Sequence, residues 1–215
     1  MTDNVLIYLH GFLSSPQSVK AQQMVEYMAT QASGVILEVP QLACFPQAAL
    51  AQAQDIARRH QGKRLTFVGS SMGGFLATHL VNEFGGRAVL INPAVDPHLL
   101  LADLLGEHQN PYTGERFELT QSHVEELKAL AIGAVREPKA LWVLLQQGDE
   151  TLDYRLAEAL YRDCHLTIEP GGSHAFDGFE RYLAGISAFL IGQAEPAMTD
   201  LPGLPEAVIA PLATS

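Results

Sequence analysis

The sequence predicts an α/β protein with a mainly parallel sheet and helices on both faces. Three observations carry that expectation. Short apolar runs alternate with helix-length segments along most of the chain, the rhythm of layered α/β architectures. Those runs are continuous rather than alternating apolar and polar, as strands buried on both faces must be. One of them leads straight into a glycine-rich turn, Gly69-Ser70-Ser71-Met72-Gly73-Gly74, and then a helical stretch. With 215 residues and 47% apolar content, the chain can fill the core of one domain.

Val5 to Leu9 reads as the first strand, stopped at His10-Gly11. Ser15-Pro16 reads as a helix N-cap with proline at the first helical position, opening a helix to about Met28. Val35 to Val39, closed by Pro40, is the second strand, and the Ala- and Gln-rich stretch Gln47 to His60 is helical. Leu65 to Val68 is the third strand, and the helix after its turn runs to about Phe84. Ala88 to Ile91, Leu141 to Gln146 and Leu166 to Ile168 complete six strands. Further helices fit Tyr154 to Arg162 and Phe179 to Leu190. The rhythm breaks between about residues 94 and 138, where Leu99 to Leu105 and Val124 to Leu130 suggest a helical cap or lid inserted into the sheet. Residues 1–192 are therefore expected to form one domain, and the proline-containing stretch 193–215 a flexible tail.

Charge and composition narrow the function. Lys and Arg total 13 against 24 Asp and Glu, a net charge of −11 spread along the chain. Such a surface repels nucleic-acid phosphates and anionic lipid headgroups, so neither nucleic acid nor membrane is an expected partner. No apolar run is long enough for a membrane-spanning helix. The start, Met-Thr-Asp-Asn, lacks the features of a secretory signal, and a soluble cytoplasmic protein is expected. Cys44 and Cys164 alone make neither a disulfide framework nor a cysteine zinc site. The histidines fall into no metal-ligand spacing, and no dinucleotide fingerprint follows a strand; no metal or organic cofactor is expected.

The chemistry centres on Gly69-x-Ser71-x-Gly73. A serine on so sharp a strand-to-helix turn is forced into a strained conformation that lifts its hydroxyl off the sheet edge. Glycines two residues to either side are needed because side chains there would strike the adjoining strand and helix. Ser71, unlike Ser70, has glycine at both distances. Its hydroxyl needs a base, and His174, in the glycine-rich loop after the last strand, is placed to supply one. An acid must then hold the imidazole; Asp149, at the carboxyl end of the Leu141 to Gln146 strand, is favoured over Asp153, Glu150 and Asp96. The oxyanion formed on attack needs donors, for which the backbone N–H groups of Met72 and Phe12 are candidates. His10 is read as holding the Phe12 loop rather than as catalytic.

These segments resemble the α/β-hydrolase superfamily, and within it the small bacterial YqiA-type esterases. The resemblance rests on Tyr8-Leu9-His10-Gly11-Phe12 with Ser14-Ser15-Pro16, Val68 to Gly74, and Asn92-Pro93-Ala94-Val95. It extends to Asn110-Pro111-Tyr112-Thr113-Gly114 and Gly171 to Phe176, and covers about residues 4 to 191. The loop before Gly148-Asp149 is one residue shorter than the family's form. The resemblance implies a compact α/β-hydrolase fold with strand order 2-1-3-4-5-6 and hydrolysis of carboxylic esters. The resulting expectation is a serine esterase that works through an acyl-enzyme on a small-molecule ester. Alternatives are an acyl-CoA thioesterase using the same three residues, with Arg116 or Lys128 meeting the anion, a non-hydrolytic enzyme on this fold, and a non-catalytic ligand-binding module.

Overall fold

The structure, a computed structural model, describes residues 3–32 and 34–192; the expected tail lies outside the described residues. The main sheet contains β1 (Asn4–Leu9), β2 (Val35–Glu38), β3 (Arg64–Ser70), β4 (Arg87–Ile91), β7 (Leu141–Gln146) and β8 (His165–Glu169). Its spatial order is β2-β1-β3-β4-β7-β8, and every neighbouring pair is parallel. Counted within that sheet, this is the expected order 2-1-3-4-5-6.

Each strand feeds both faces because successive side chains point to opposite sides. Val5, Ile7 and Leu9 of β1 enter one core layer, whereas Leu6 and Tyr8 enter the other. The first layer is closed by α2 (Pro46–Arg59), α3 (Met72–Phe84) and α6 (Tyr154–Leu160). The second is closed by α1 (Val19–Gln31) and α7 (Leu183–Ile191), which follows a 3-10 turn at Phe179–Tyr182. Trp142, the chain's single tryptophan, is fully buried in this second layer. Its indole N–H donates to Thr167 Oγ1 on β8 at 3.0 Å.

Two expectations about elements need correction. The helix expected at Ser15-Pro16 begins only at Val19. Ser15 instead organises a turn ahead of it: its Oγ accepts the Gln17 N–H at 2.9 Å and its carbonyl accepts the Ser18 N–H at 3.1 Å. Serine side chains compete for nearby backbone donors in this way, and the letters Ser-Pro fit either geometry. The stretch 94–138 contains the expected helices, α4 (Pro97–Ala102) and α5 (Gln121–Ala129), but also an unexpected antiparallel hairpin. Its strands are β5 (Gly106–Gln109) and β6 (Arg116–Leu119). β5 reads Gly-Glu-His-Gln, with no apolar residue to signal a strand, and the pair is held down through Phe117 and Leu119, both buried. Among the described residues no helix is long and apolar enough to cross a membrane.

The topology decides where chemistry can sit. The chain runs outward from β1 to β2, then returns to place β3 on β1's other side. Open α/β sheets place their crevice at such a reversal, beyond the carboxyl ends of the strands. Here that brings the loop after β1 beside the turn after β3, with the loops after β4, β7 and β8 following along the same edge.

Candidate active site

Ser71 links β3 to α3 with φ 55° and ψ −118°, in the left-handed region that side chains disfavour. Its N–H donates to the Ile91 carbonyl at 3.0 Å, and its own carbonyl accepts the N–H groups of Gly74 and Ala94. Those bonds on both sides hold a conformation that costs on the order of 1–3 kcal/mol. The glycines are steric necessities. A Cβ on Gly69 would overlap the Gly73 carbonyl, and one on Gly73 would overlap the Leu9 carbonyl at the end of β1.

His174 bridges the other two candidates. Its Nε2 lies 3.1 Å from Ser71 Oγ, and its Nδ1 lies 2.8 and 3.0 Å from the two carboxylate oxygens of Asp149. The Asp149 side chain is 2% exposed, and that of His174 24%. Asp149 Oδ1 also accepts the backbone N–H groups of Thr151 (2.9 Å) and Leu152 (2.8 Å), so the short loop after β7 presents the carboxylate rigidly. None of the rival acids bonds the imidazole. Asp153 caps α6 and pairs with Arg155, and Asp96 occupies the N-cap position of α4 without a side-chain cap bond. Glu150 accepts the backbone N–H of His174 at 3.0 Å, which touches the same loop but not the imidazole.

The loop after β1 lies against the nucleophile candidate: a Cβ built on Gly11 would sit 3.3 Å from Ser71 Cβ and 3.8 Å from its Oγ. Neither the Phe12 N–H nor the Met72 N–H has an acceptor among the described residues. His10 fastens this loop. Its Nδ1–H donates to the Gly11 carbonyl at 2.8 Å, and its Nε2 accepts the Leu42 N–H at 3.0 Å. Burial holds this imidazole below the usual histidine range, partly opposed by the bond to Gly11. The Phe12 ring meets Phe117 edge-on at 6.0 Å and His108 at 6.3 Å, so the hairpin packs on the loop after β1.

On the other side, Pro93, Val95, Leu99, Leu100, Leu152 and Leu156 line a small, mainly apolar groove of about 100 Å³, with Asp96, Thr151 and Asp153 also on its wall. Leu152 donates its N–H to Asp149, and Pro93 precedes Ala94, whose N–H donates to the Ser71 carbonyl, so the groove borders the acid loop and the segment after β4. Lys20 reaches in from α1 and donates to the Ala175 carbonyl at 2.6 Å. Burial lowers its ammonium to about 8, the Asp149 charge opposing that shift. Cys44 and Cys164 are free, and burial pushes their thiols up to about 11 and about 12. Among the described residues no group of three or more His, Cys, Asp and Glu side chains is gathered as a metal site.

Sequence reasoning missed two buried amides, Asn92 and Gln146. Asn92 reads only as a strand stop before proline, and Gln146 as the end of an apolar run. A polar residue kept at the carboxyl end of a buried strand was the available signal, because buried polar groups require partners.

The sequence model of a family described as "Uncharacterised protein family (UPF0227)" matches residues 5–191. The chain belongs to that family. Its membership agrees with the resemblance to YqiA-type proteins. Solved structures share the architecture at low identity. A protein of Agrobacterium vitis S4 superposes with TM-score 0.69 at 23% identity, over 87% of this chain and 88% of that one. Est1E from Butyrivibrio proteoclasticus gives 0.68 at 15% identity, over 88% of each chain. The esterase domain of a Rhodothermus marinus protein gives 0.55 at 15%, over 84% and 82%. The UPF0227 chain thus has the α/β-hydrolase fold.

Proposed function

We propose that this protein is a serine esterase acting through an acyl-enzyme. The observation that carries the reading is His174 lying between Ser71 Oγ and a buried Asp149 carboxylate, at 3.1 and 2.8 Å. Ser71 Oγ attacks the acyl carbonyl carbon while its proton passes to His174 Nε2. Asp149 holds Nδ1–H and stabilises the imidazolium that results. The N–H groups of Phe12 and Met72 receive the negative charge that develops on the carbonyl oxygen. Collapse breaks the ester bond, His174 returns the proton to the leaving alcohol, and water repeats the cycle to free the acid.

The α/β-hydrolase fold, shared with the Rhodothermus marinus esterase domain, supports the choice of ester chemistry. The groove between α4 and the Asp149 loop is the place for a small apolar acyl group. Its volume is below that of a ~150 Å³ cavity that takes benzene, and it suits an acyl group of a few carbons. A thioester would be attacked by the same residues, so comparison of matched oxygen and thiol esters ranks the two.

The deciding experiment is intact-mass analysis after treatment with a fluorophosphonate. The expected result is one adduct per chain, absent in Ser71→Ala and strongly slowed in His174→Ala. Asp149→Asn lowers kcat by about 10⁴-fold with the chain still folded. A folded native chain that takes no adduct overturns the reading and leaves a ligand-binding role.

A further inference from the structure

We propose that Asn92 is a positioning residue that sets where His174 stands; the proposal rests on the reading of Ser71, His174 and Asp149 as a triad. Asn92 is the first residue beyond β4, buried, and its φ is 40°. Its Nδ2 donates to the carbonyl oxygens of Ser173 (3.0 Å) and of His174 itself (3.3 Å). Its Oδ1 accepts the Gln146 backbone N–H at 3.0 Å, and its own N–H donates to the Leu144 carbonyl at 2.9 Å. One residue earlier, the Ile91 carbonyl accepts the N–H of Ser71. A single stretch of two residues therefore grips the nucleophile's backbone on one side and the base's backbone on the other.

The loop that carries His174 needs such a grip. Gly171 and Gly172 have positive φ, as does Phe176, and no helix or strand covers residues 170–178. Glycines leave this segment many conformations if nothing holds it. Two amides do so. The Gln146 side chain accepts the N–H groups of Ser173 (3.1 Å) and Asp177 (2.8 Å), and donates to the Asp177 carbonyl (2.9 Å) and to Glu169 (2.7 Å). Gln146 pins the loop on both sides of His174, and Asn92 reaches the carbonyl of His174.

The chemistry calls for an amide at position 92. One face of the side chain meets a backbone donor and the other meets two carbonyl oxygens, so it must accept and donate at once. An aspartate of the same shape keeps the bond from Gln146 but turns an anionic oxygen toward the carbonyls of Ser173 and His174. Asparagine also tolerates the left-handed backbone better than most side chains.

The test compares Asn92→Gly and Asn92→Asp with the parent on an activated ester, each also in a His174→Ala background. Glycine accepts φ 40° without strain and removes the amide, and aspartate preserves shape. Displacing a base by about 1 Å costs on the order of 10²-fold, so both variants are expected to lose roughly 10- to 100-fold in kcat, with KM within about twofold. In the His174→Ala background neither substitution should lower the rate further, because the group being placed is gone. Should Asn92→Gly fail to fold, the isosteric Asn92→Asp carries the same comparison. A folded Asn92 variant with parental kcat overturns the proposal, and so does an equal loss with and without His174. Parental activity in His174→Ala alone would instead overturn the triad, and the proposal with it.

Discussion

At the scale of single residues, backbone strain gathers around the candidate site. Among the described residues the non-glycine positions with positive φ are Leu13, Ser71, Asn92 and Phe176. One follows the candidate oxyanion loop, one is the nucleophile candidate, and two flank or hold the His174 loop. Strain of this kind persists only where surrounding bonds over-determine it. The glycine pattern around Ser71 was legible because it is written in residue identities; the left-handed turns at Leu13 and Phe176 were not, because any letter can be forced there. Gly73 gives the residue-scale prediction. Since a Cβ would run into the Leu9 carbonyl, Gly73→Ala must push α3 off β1. A loss of about 2 kcal/mol or more is expected, read as a fall in the thermal midpoint by circular dichroism. An unchanged midpoint would mean that the turn relaxes freely.

At the scale of elements, the long buried strands and their helices were readable because a short continuous apolar run between turn residues fits little besides a strand covered on both faces. The hairpin was not. β5 and β6 have four residues each, and their stability comes from Phe117 packing on Phe12 and Phe45, contacts between distant parts of the chain. Asn110 adds a tie by donating to the Ser14 carbonyl at 3.1 Å. The insert is therefore fastened to the loop after β1. Its other half, α4, faces the groove, which makes the half-buried Leu100 a test of what that groove takes. In Leu100→Trp the larger side chain is expected to narrow the groove, and the kcat/KM preference for a butyrate over an acetate ester should fall roughly tenfold. Equal losses for both esters would place the acyl group elsewhere.

At the scale of the molecule, acidity and burial meet in the histidines. His10 and His79 are both held below the usual histidine range by burial, His10 bonded to Leu42 and His79 to the Leu130 carbonyl. A depressed histidine binds fewer protons folded than unfolded, so its contribution is complete above the ordinary range and is lost as pH falls through it. The thermal midpoint should therefore decline between about pH 7.5 and 5.5, and less so in a His10→Asn, His79→Asn double variant. Matching slopes in the two proteins would remove these side chains as the source.

The order of the six strands was legible only through resemblance, since periodicity says which segments are strands but not which are neighbours. That order has a temporal consequence. Phe12, Ser71, Asp149 and His174 stand far apart in the chain and meet only when both halves of the sheet have joined. Parallel pairings of that span are slow to form. Trp142 lies at the seam between β7 and the returning α7, so its fluorescence reports the late closure of the domain. If Ser71 is the nucleophile proposed above, its labelling by a fluorophosphonate during refolding should then appear no earlier than the tryptophan signal, and half-made chains should be inert.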